Sequence, residues 1–251
     1  MGAALLGGML ASGEFEATSL AVVEQLPARR DELVEMFPDV TVVSDVPPCT
    51  GAVIAVKPQG VADAVRDAVS AGARRIVSIA AGVTLASLDT AAGPGVAVVR
   101  AMPNTPALIG QGASAMAGGK NCSAENVAWA KKILLGVGTV VEVEEDLLDA
   151  VTGLSGSGPA YVFLLAEALI AAGVEQGLTE QVSNELVRQL LVGSSLLLAE
   201  SSETPEQLRK KVTSPNGTTA AGIAELVGKQ FAEIIAGAVS AATARSKELG
   251  S

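Results

Sequence analysis

Residues 52–82, AVIAVKPQGVADAVRDAVSAGARRIVSIAAG, contain a complete strand–helix–strand pattern. The fully apolar run Ala52–Val56 is typical of a strand that is buried on both faces. Val61–Ala71 has the spacing of a helix that ends at Gly72, and Arg74–Ile79 is a second apolar strand. Two strands separated by one short helix predict a βαβ unit, in which the strands are parallel and the crossover is right-handed.

The same alternation continues on both sides of this unit. The chain opens on MGAALLGGMLASG, residues 1–13, which has helical spacing but no strand before it. The further predicted elements are strands at Ser19–Glu24, Val40–Val43, Val96–Val99, Ala113–Ala117 and Thr139–Val143, and helices at Ala28–Met36, Leu85–Ala91 and Ala124–Leu135. Together they predict an α/β fold with a Rossmann-like, doubly wound and mostly parallel sheet, forming a dinucleotide-binding domain over residues 1–145.

The second half of the chain has a different pattern, with helices and no strand expected after Asp146. The predicted helices are Pro159–Gly173, Thr179–Ala199, Pro205–Val212, Thr218–Val227 and Phe231–Glu248. Leu190–Ala199 (LLVGSSLLLA) is apolar around most of its circumference, and such a helix has to be covered. These helices cannot cover that much apolar surface alone. We therefore infer an all-α dimerisation domain over residues 146–251.

The composition excludes several classes of function. The formal net charge is −10, which argues against binding to nucleic acid and to an anionic membrane surface. The sequence contains no histidine, so a Ser-His-Asp triad and the usual catalytic zinc site are excluded, and we predict no metal ligands. Cys49 and Cys122 fit no metal or redox motif and are predicted to be buried free thiols in a reducing cytoplasm.

Three of the predicted strands end in short turns that are rich in small residues. Lys57-Pro58 follows the strand at Ala52–Val56, Ala80–Gly82 follows the next strand, and Arg100–Pro106 follows the third. Ligands of parallel sheets bind beyond the carboxyl ends of the strands. Three adjacent turns with open backbone N–H groups therefore predict a groove for a dinucleotide.

Five motifs resemble those of the pyrroline-5-carboxylate reductases. They are AVKP at 55–58, SIAAGVT at 78–84, RAMPNTPA at 100–107, VTGLSGSGPAYVF at 151–163 and VTSPNGTTAAGIAEL at 212–226. The resemblance extends to about Leu249. It implies hydride transfer from NADPH or NADH to the C=N bond of L-1-pyrroline-5-carboxylate, which is the last step of proline biosynthesis. It also implies a cytoplasmic homodimer joined through the helical domain, or a higher oligomer such as a decamer.

The resemblance implies where the cofactor binds. In that family a first strand and a glycine-rich turn precede the first helix, and Met1-Gly2 aligns with the end of that turn. We therefore expect this chain to lack the central first strand and nearly all of the turn, so that Ser19–Glu24 and Ala52–Val56 each lack one strand partner. The expected cofactor-binding residues are Gly2, Glu24, Ser44, Ala55, Val56, Lys57, Pro58, Ala80, Ala81, Gly82, Met102 and Asn104.

The substrate is expected to bind at Ser214–Thr219, where a turn opens a helix. A helix start offers free N–H groups and a positive dipole end, which suit a carboxylate, and we assign this contact to the backbone of Gly217 and Thr218. The family often has Gly where Asn216 stands, and this departure puts little in doubt, because Asn tolerates a left-handed backbone almost as well as Gly. The resemblance implies that Thr219 contacts the imine nitrogen. The full set of expected substrate-binding residues is Glu145, Val212, Ser214, Gly217, Thr218 and Thr219.

Cofactor choice and function each have alternatives. Glu24 closes a strand where an acid favours NADH, whereas Arg29 and Arg30 follow it, and either could reach the 2′-phosphate of NADPH. Lys57 is expected beside the cofactor as a second catalytic residue with Thr219. The alternative functions are a non-catalytic oligomeric scaffold that has lost the cofactor turn, and a related imine or β-hydroxyacid reductase.

Overall fold

The computed structural model describes residues 1–250, which divide into two compact units. The first unit contains residues 1–157 and the residues from 240 onward, and the second is Gly158–Val239. The sequence places a domain boundary between residues 145 and 146, and that boundary stays a prediction. Ser251, the last residue of the second predicted domain, lies outside the described residues.

The first unit alternates strands and helices. Its strands are β1 (Ala21–Val23), β2 (Thr41–Val43), β3 (Gly51–Ile54), β4 (Arg75–Ser78), β5 (Ala97–Met102), β6 (Gly112–Gly118) and β7 (Gly138–Glu142). Its helices are α1 (Gly2–Ala11), α2 (Pro27–Met36), α3 (Val61–Ser70), α4 (Leu85–Ala92), α5 (Ala124–Leu135) and α6 (Leu148–Val151). Short 3₁₀ turns lie at Ala17–Ser19, Pro58–Gly60, Thr105–Ile109 and Glu145–Leu147, and a π-helical segment lies at Thr152–Gly156. The predicted α/β alternation is confirmed, with element ends that differ by a few residues.

The strands form two sheets. β1 pairs in parallel with β2, and β3 to β7 form a five-stranded sheet in chain order. Within residues 1–250, β1 pairs with no strand besides β2 and β3 with none besides β4, so each has one strand partner, as expected. The larger sheet is parallel except between β5 and β6. These two are antiparallel because their connection, residues 103–111, contains a 3₁₀ turn rather than a crossover helix.

The five-stranded sheet separates two buried clusters. In β4 Ile76 belongs to one cluster and Val77 to the other, and in β5 Val98 and Val99 divide in the same way. Successive side chains of a strand point to opposite faces. Helices α3 and α4 therefore cover one face of the sheet, and α1 and α5 cover the other, which confirms the doubly wound arrangement.

The second unit is helical. It contains α7 (Gly158–Glu175), α8 (Glu180–Glu200), α9 (Pro205–Lys211), α10 (Thr218–Gly228) and the first part of α11 (Phe231–Leu249). Thr179 caps α8, and Thr204 forms a capping box with Gln207 at the start of α9, so both helices begin where side-chain oxygens meet unpaired N–H groups. In the described part of the chain no strand follows β7, as predicted.

Large apolar side chains of these helices are exposed in the single chain. Phe163 and Leu164 on α7 are 62% and 65% exposed, and Leu190 and Leu197 on α8 are 54% and 57% exposed. Removing apolar surface from water is the main favourable term in folding and association. A contiguous exposed apolar surface of this kind is typical of a protein–protein interface.

Candidate active site

The predicted cofactor turns lie at one edge of the five-stranded sheet. β3, β4 and β5 are parallel neighbours, and Ile54 at the end of β3 pairs with Ser78 at the end of β4. The carboxyl ends of the strands therefore meet. At these ends lie the segments Ala55–Pro58, directly after β3, Ala80–Gly82, one residue beyond β4, and Met102–Asn104, which begins with the last residue of β5. The structure thus brings together the turn residues that the sequence predicts.

Helix α1 presents its amino end beside β3. A Cβ atom on Gly2 would lie 3.1 Å from the Cβ atom of Ala55, so the absence of a side chain at Gly2 permits this close approach. The N-cap residue Met1 makes no side-chain hydrogen bond to the first turn. Uncapped N–H groups and the positive end of a helix dipole form a ready anion site. The residues at this edge therefore fit the pyrophosphate of a dinucleotide.

The ends of β1 and β2 are tied together by hydrogen bonds. Nε2 of Gln25 donates to the carbonyl oxygen of Ser44 at 2.8 Å, and the backbone N–H of Glu24 donates to the carbonyl oxygen of Val43 at 3.0 Å. Oε1 of Glu24 accepts from the backbone N–H of Leu26 at 3.0 Å. Glu24 and Ser44 thus lie at the ends of paired strands, where dinucleotide folds bind the adenine ribose.

The two arginines after β1 differ in their contacts. Arg29 is paired with Glu32 of its own helix. Nη1 of Arg30 donates to the carbonyl oxygens of Glu24 and Gln25 at 2.8 and 3.0 Å, which holds its guanidinium against the strand end. Of the two arginines, Arg30 thus has its guanidinium at the end of β1 beside Glu24, and which residue meets the adenine ribose stays a prediction. Both NADPH and NADH fit these contacts.

Asn104 uses its side chain to hold the third turn in place. Its Nδ2 donates to the carbonyl oxygen of Ser155 at 3.0 Å, and its Oδ1 accepts from the backbone N–H of Ala113 at 2.8 Å. Asn104 is only 8% exposed. Ser155 lies in the π-helical segment, which the sequence analysis did not predict. The bonds at both ends of the side-chain amide fix its orientation, and one N–H of Nδ2 and one lone pair of Oδ1 are left without a bond in these two contacts.

Arg100 is a buried charge whose importance the sequence analysis missed. It lies on β5, is 6% exposed, and its Nη1 is 3.1 Å from Oε1 of Glu145. Its Nη2 is 3.7 Å from Oδ1 of Asp149. The same Oε1 of Glu145 accepts from the backbone N–H of Leu85 at 2.6 Å. The sequence pattern ends the third strand at Val99 and places Arg100 in the turn that follows, which is wrong, because β5 continues to Met102. The acidic partners of Arg100 are distant along the chain, so no local pattern marks it.

The predicted substrate turn lies in the second unit and opens α10. Asn216 has φ 57°, a left-handed backbone that asparagine tolerates. Gly217 is the N-cap, makes no side-chain hydrogen bond to the helix, and donates its N–H to the carbonyl oxygen of Ser214 at 3.1 Å. Thr218 and Thr219 are the first two helical residues and are exposed. The uncapped first turn of α10 is therefore open to an anion such as a carboxylate.

The predicted site residues are divided between the two units. Lys57 and Glu145 belong to the first unit, and Val212 and the turn Ser214–Thr219 belong to the second. Val212 is the C-cap residue of α9. The roles assigned to these residues stay predictions.

The two cysteines are free thiols, as expected, but they are partly rather than fully buried. Burial raises the pKa of both the Cys49 and the Cys122 thiol above the usual value, so neither forms a thiolate readily at neutral pH. Sγ of Cys122 lies 3.1 Å from the carbonyl oxygen of Val98. These thiols pack as small apolar groups and are not reactive nucleophiles.

Comparison with known proteins gives one consistent result. A family model described as pyrroline-5-carboxylate reductase dimerisation matches residues 145–249. A pyrroline-5-carboxylate reductase of Synechocystis is 43% identical, over 100% of this chain and 95% of that protein. A solved pyrroline-5-carboxylate reductase of Coxiella burnetii matches with TM-score 0.92 and 31% identity, over 100% of this chain and 95% of that one. A pyrroline carboxylate reductase of Plasmodium falciparum, solved with NADP bound, matches with TM-score 0.85 and 30% identity over the same shares.

Proposed function

The chain belongs to the pyrroline-5-carboxylate reductase family, and from this membership we propose that it reduces L-1-pyrroline-5-carboxylate to L-proline with NAD(P)H. The observation that carries the proposal is the full-length similarity together with the open first turn of α10, which suits the carboxylate of such a substrate. Among the alternatives, a related imine or β-hydroxyacid reductase is disfavoured by this full-length similarity. A non-catalytic scaffold is distinguished by experiment.

At the substrate end, the backbone N–H of Thr218 binds the carboxylate, and Ser214 and Val212 line the same turn. The N–H of Gly217, which the sequence also assigns to the carboxylate, already donates to the carbonyl oxygen of Ser214 and would have to be shared with the substrate. Thr219 contacts the ring nitrogen through its hydroxyl. Glu145 contributes a second contact to the ring nitrogen through Oε2, because its Oε1 already accepts from Leu85 and Arg100. These contacts hold the ring by two of its own groups, the negative carboxylate and the protonated nitrogen, and holding reactants in one geometry is a large part of catalysis.

At the cofactor end, the residues that would hold NAD(P)H are those at the strand ends. Gly2 and the first turn of α1 would bind the pyrophosphate, Glu24 and Ser44 the adenine ribose, and the remaining turns the nicotinamide half. The nicotinamide-side residues are Ala55, Val56, Lys57, Pro58, Ala80, Ala81, Gly82, Met102 and Asn104. When bound, the reduced nicotinamide supplies a hydride to the C=N carbon. Lys57 places a positive charge beside the cofactor.

Proton transfer is constrained by the absence of histidine. A protonated iminium accepts hydride more readily than a neutral imine, so the substrate itself carries the proton. The hydroxyl of Thr219 has a pKa far from neutrality and orients the nitrogen rather than acting as a strong acid. The negative charge of Glu145 favours the protonated form of the ring nitrogen.

The function is tested by mixing the purified chain with pyrroline-5-carboxylate and either NADPH or NADH. We expect loss of NAD(P)H absorbance and formation of proline in equal amounts. If the chain binds neither NADPH nor NADH, the result supports the alternative function of a non-catalytic oligomeric scaffold. A chain that oxidises NAD(P)H with another cyclic imine, but not with pyrroline-5-carboxylate, is a related reductase.

We further propose that the chain is a cytoplasmic homodimer joined through residues 146–251, and that dimers assemble further, as in a decamer. The stretch Glu145–Glu175 is long and apolar enough to cross a membrane by length and composition alone, and no residue of its most apolar part is fully buried in the single chain. The dimerisation family model covers this stretch. A second copy of the chain therefore accounts for the exposed surface without a membrane.

Two substitutions on α8 should weaken the dimer. Leu190→Asp and Leu197→Asp place charges on the exposed apolar surface, and burying an unpaired charge in an interface is strongly unfavourable. In light scattering we expect the unaltered chain to be a dimer or larger and the double variant to shift toward monomer. Lys229→Asp is the matched control, because Lys229 is exposed and pairs only within its own helix turn with Glu225. A monomeric unaltered chain would contradict the proposal.

A further inference from the structure

Arg100 lies at the edge of the sheet where the proposed cofactor turns meet. On β5 it pairs directly with Ser78, the last residue of β4 before the turn Ala80–Gly82. Its side chain is 8% exposed, so its guanidinium is largely removed from water. A buried guanidinium persists only where carboxylates and further hydrogen bonds compensate its lost hydration.

Glu145 connects this buried charge to helix α4. Its Oε1 lies 3.1 Å from Nη1 of Arg100 and accepts from the backbone N–H of Leu85, the first residue of α4, at 2.6 Å. Thr84, the N-cap of α4, accepts from the N–H of Ser87. Glu145 and Thr84 thus satisfy two of the donors that a helix start leaves unpaired, and the carboxylate also lies at the positive end of the helix dipole.

The turn Ala80–Gly82 is therefore fixed from both sides. On one side β4 is held in register by β3 and β5. On the other side α4 begins three residues after Gly82, and its first N–H is bonded to Glu145. Gly82 itself has φ 77°, a left-handed backbone that an L side chain rarely adopts. The position of the turn depends on the anchor at Leu85, because Gly82 alone permits several conformations.

Asp149 extends the same network. Its Oδ1 lies 3.7 Å from Nη2 of Arg100 and accepts from the hydroxyl of Ser246 on α11 at 2.6 Å. Near the end of that helix, the carbonyl oxygen of Leu249 would lie 3.1 Å from a Cβ atom on Gly82. The buried charge of Arg100 thus holds two acidic side chains that each lead to a segment bordering the turn.

We propose that Arg100 is a positioning residue of the cofactor site, which acts through Glu145 to fix the turn Ala80–Gly82 for the nicotinamide half of NAD(P)H. This inference rests on the proposed function, since it assigns the turn to the cofactor. Arg100 itself touches neither substrate nor cofactor. Its effect on binding passes through the carboxylate that it orients and through the start of α4.

The test measures NADPH and NADH binding by fluorescence titration, without substrate. Arg100→Lys keeps the charge but changes the planar donor geometry, and Glu145→Gln keeps the shape but removes the charge. We expect each to raise the Kd for the nucleotide about tenfold, because small displacements of a binding turn are costly. The Kd of the double variant should be no higher than that of the more impaired single variant, because both substitutions disrupt the same Arg100–Glu145 pair. Asp146→Asn is the matched control, since Asp146 is exposed, and its Kd should be unchanged.

Each outcome decides the inference. Thermal melting measures stability separately from binding. If the variants melt at a lower temperature but bind the nucleotide with an unchanged Kd, the Arg100–Glu145 pair is purely structural and the inference is overturned. Additive losses in the double variant would also overturn it. If Arg100→Lys does not fold, Glu145→Gln decides alone, and an unchanged Kd overturns the inference. Failure of the chain to turn over pyrroline-5-carboxylate would overturn the proposed function, while this binding result would stand.

Discussion

Replacing Thr219 by valine should lower kcat/KM for pyrroline-5-carboxylate roughly ten- to hundredfold and leave the Kd for NAD(P)H nearly unchanged. Valine matches threonine in shape but lacks the hydroxyl, so the substitution removes one hydrogen bond to the ring nitrogen. Such a bond contributes about 1–3 kcal/mol when its partner is charged, which corresponds to the expected loss in rate. Steady-state rates with a saturating cofactor, and a separate titration with NAD(P)H, measure the two effects.

The expected separation of the two effects follows from where Thr219 lies. It is the second residue of α10 in the second unit, whereas the proposed cofactor turns belong to the first. Its side chain is exposed and caps no helix, because the N-cap of α10 is Gly217. Thr219→Ser is the matched control: it restores the hydroxyl and should recover most of the rate. A valine variant that is as fast as the unaltered chain would remove Thr219 from the mechanism.

Elements of the first unit could be predicted from the sequence where a local residue pattern determines both their type and their ends. The predicted helix Val61–Ala71 is α3, Val61–Ser70, because the apolar spacing of this segment and Gly72 both mark the same element. The antiparallel direction of β6 could not be predicted in this way. The segment Ala113–Ala117 has the pattern of a buried strand whichever way it runs, and its direction is set by the short connection from β5.

In the candidate site, too, some features follow from the local sequence and others only from the fold. The uncapped start of α10 follows from the six adjacent residues Ser214–Thr219, so the sequence predicts it. The environment of Glu145 does not follow from its neighbours, since the acidic run around it contains several equivalent carboxylates. Only the fold selects Glu145, by bringing Leu85 and Arg100 from distant strands and turns to its Oε1.

Substituting Gly138 by alanine should destabilise the first unit by roughly 2–6 kcal/mol. Gly138 begins β7 with φ 146°, and a Cβ atom there would lie 2.0 Å from the carbonyl oxygen of Gly112, its partner in β6. Overpacking and backbone strain each cost about 1–3 kcal/mol, and neither is relieved here, because the colliding atom belongs to a paired backbone. Urea unfolding followed by circular dichroism, at one protein concentration, measures the loss.

Gly110→Ala separates the collision from the backbone strain. Gly110 also has a positive φ, 72°, but a Cβ atom there meets no atom within 4 Å. Its substitution should therefore cost only the left-handed strain, about 1–2 kcal/mol. The difference between the two variants isolates the close approach of β6 and β7. That approach matters for the site, because β7 ends at Glu142 and leads directly into the turn that carries Glu145. If Gly138→Ala were no more destabilising than Gly110→Ala, the pairing of Gly112 with Gly138 would be wrong, and with it the register that places Glu145 beside Arg100.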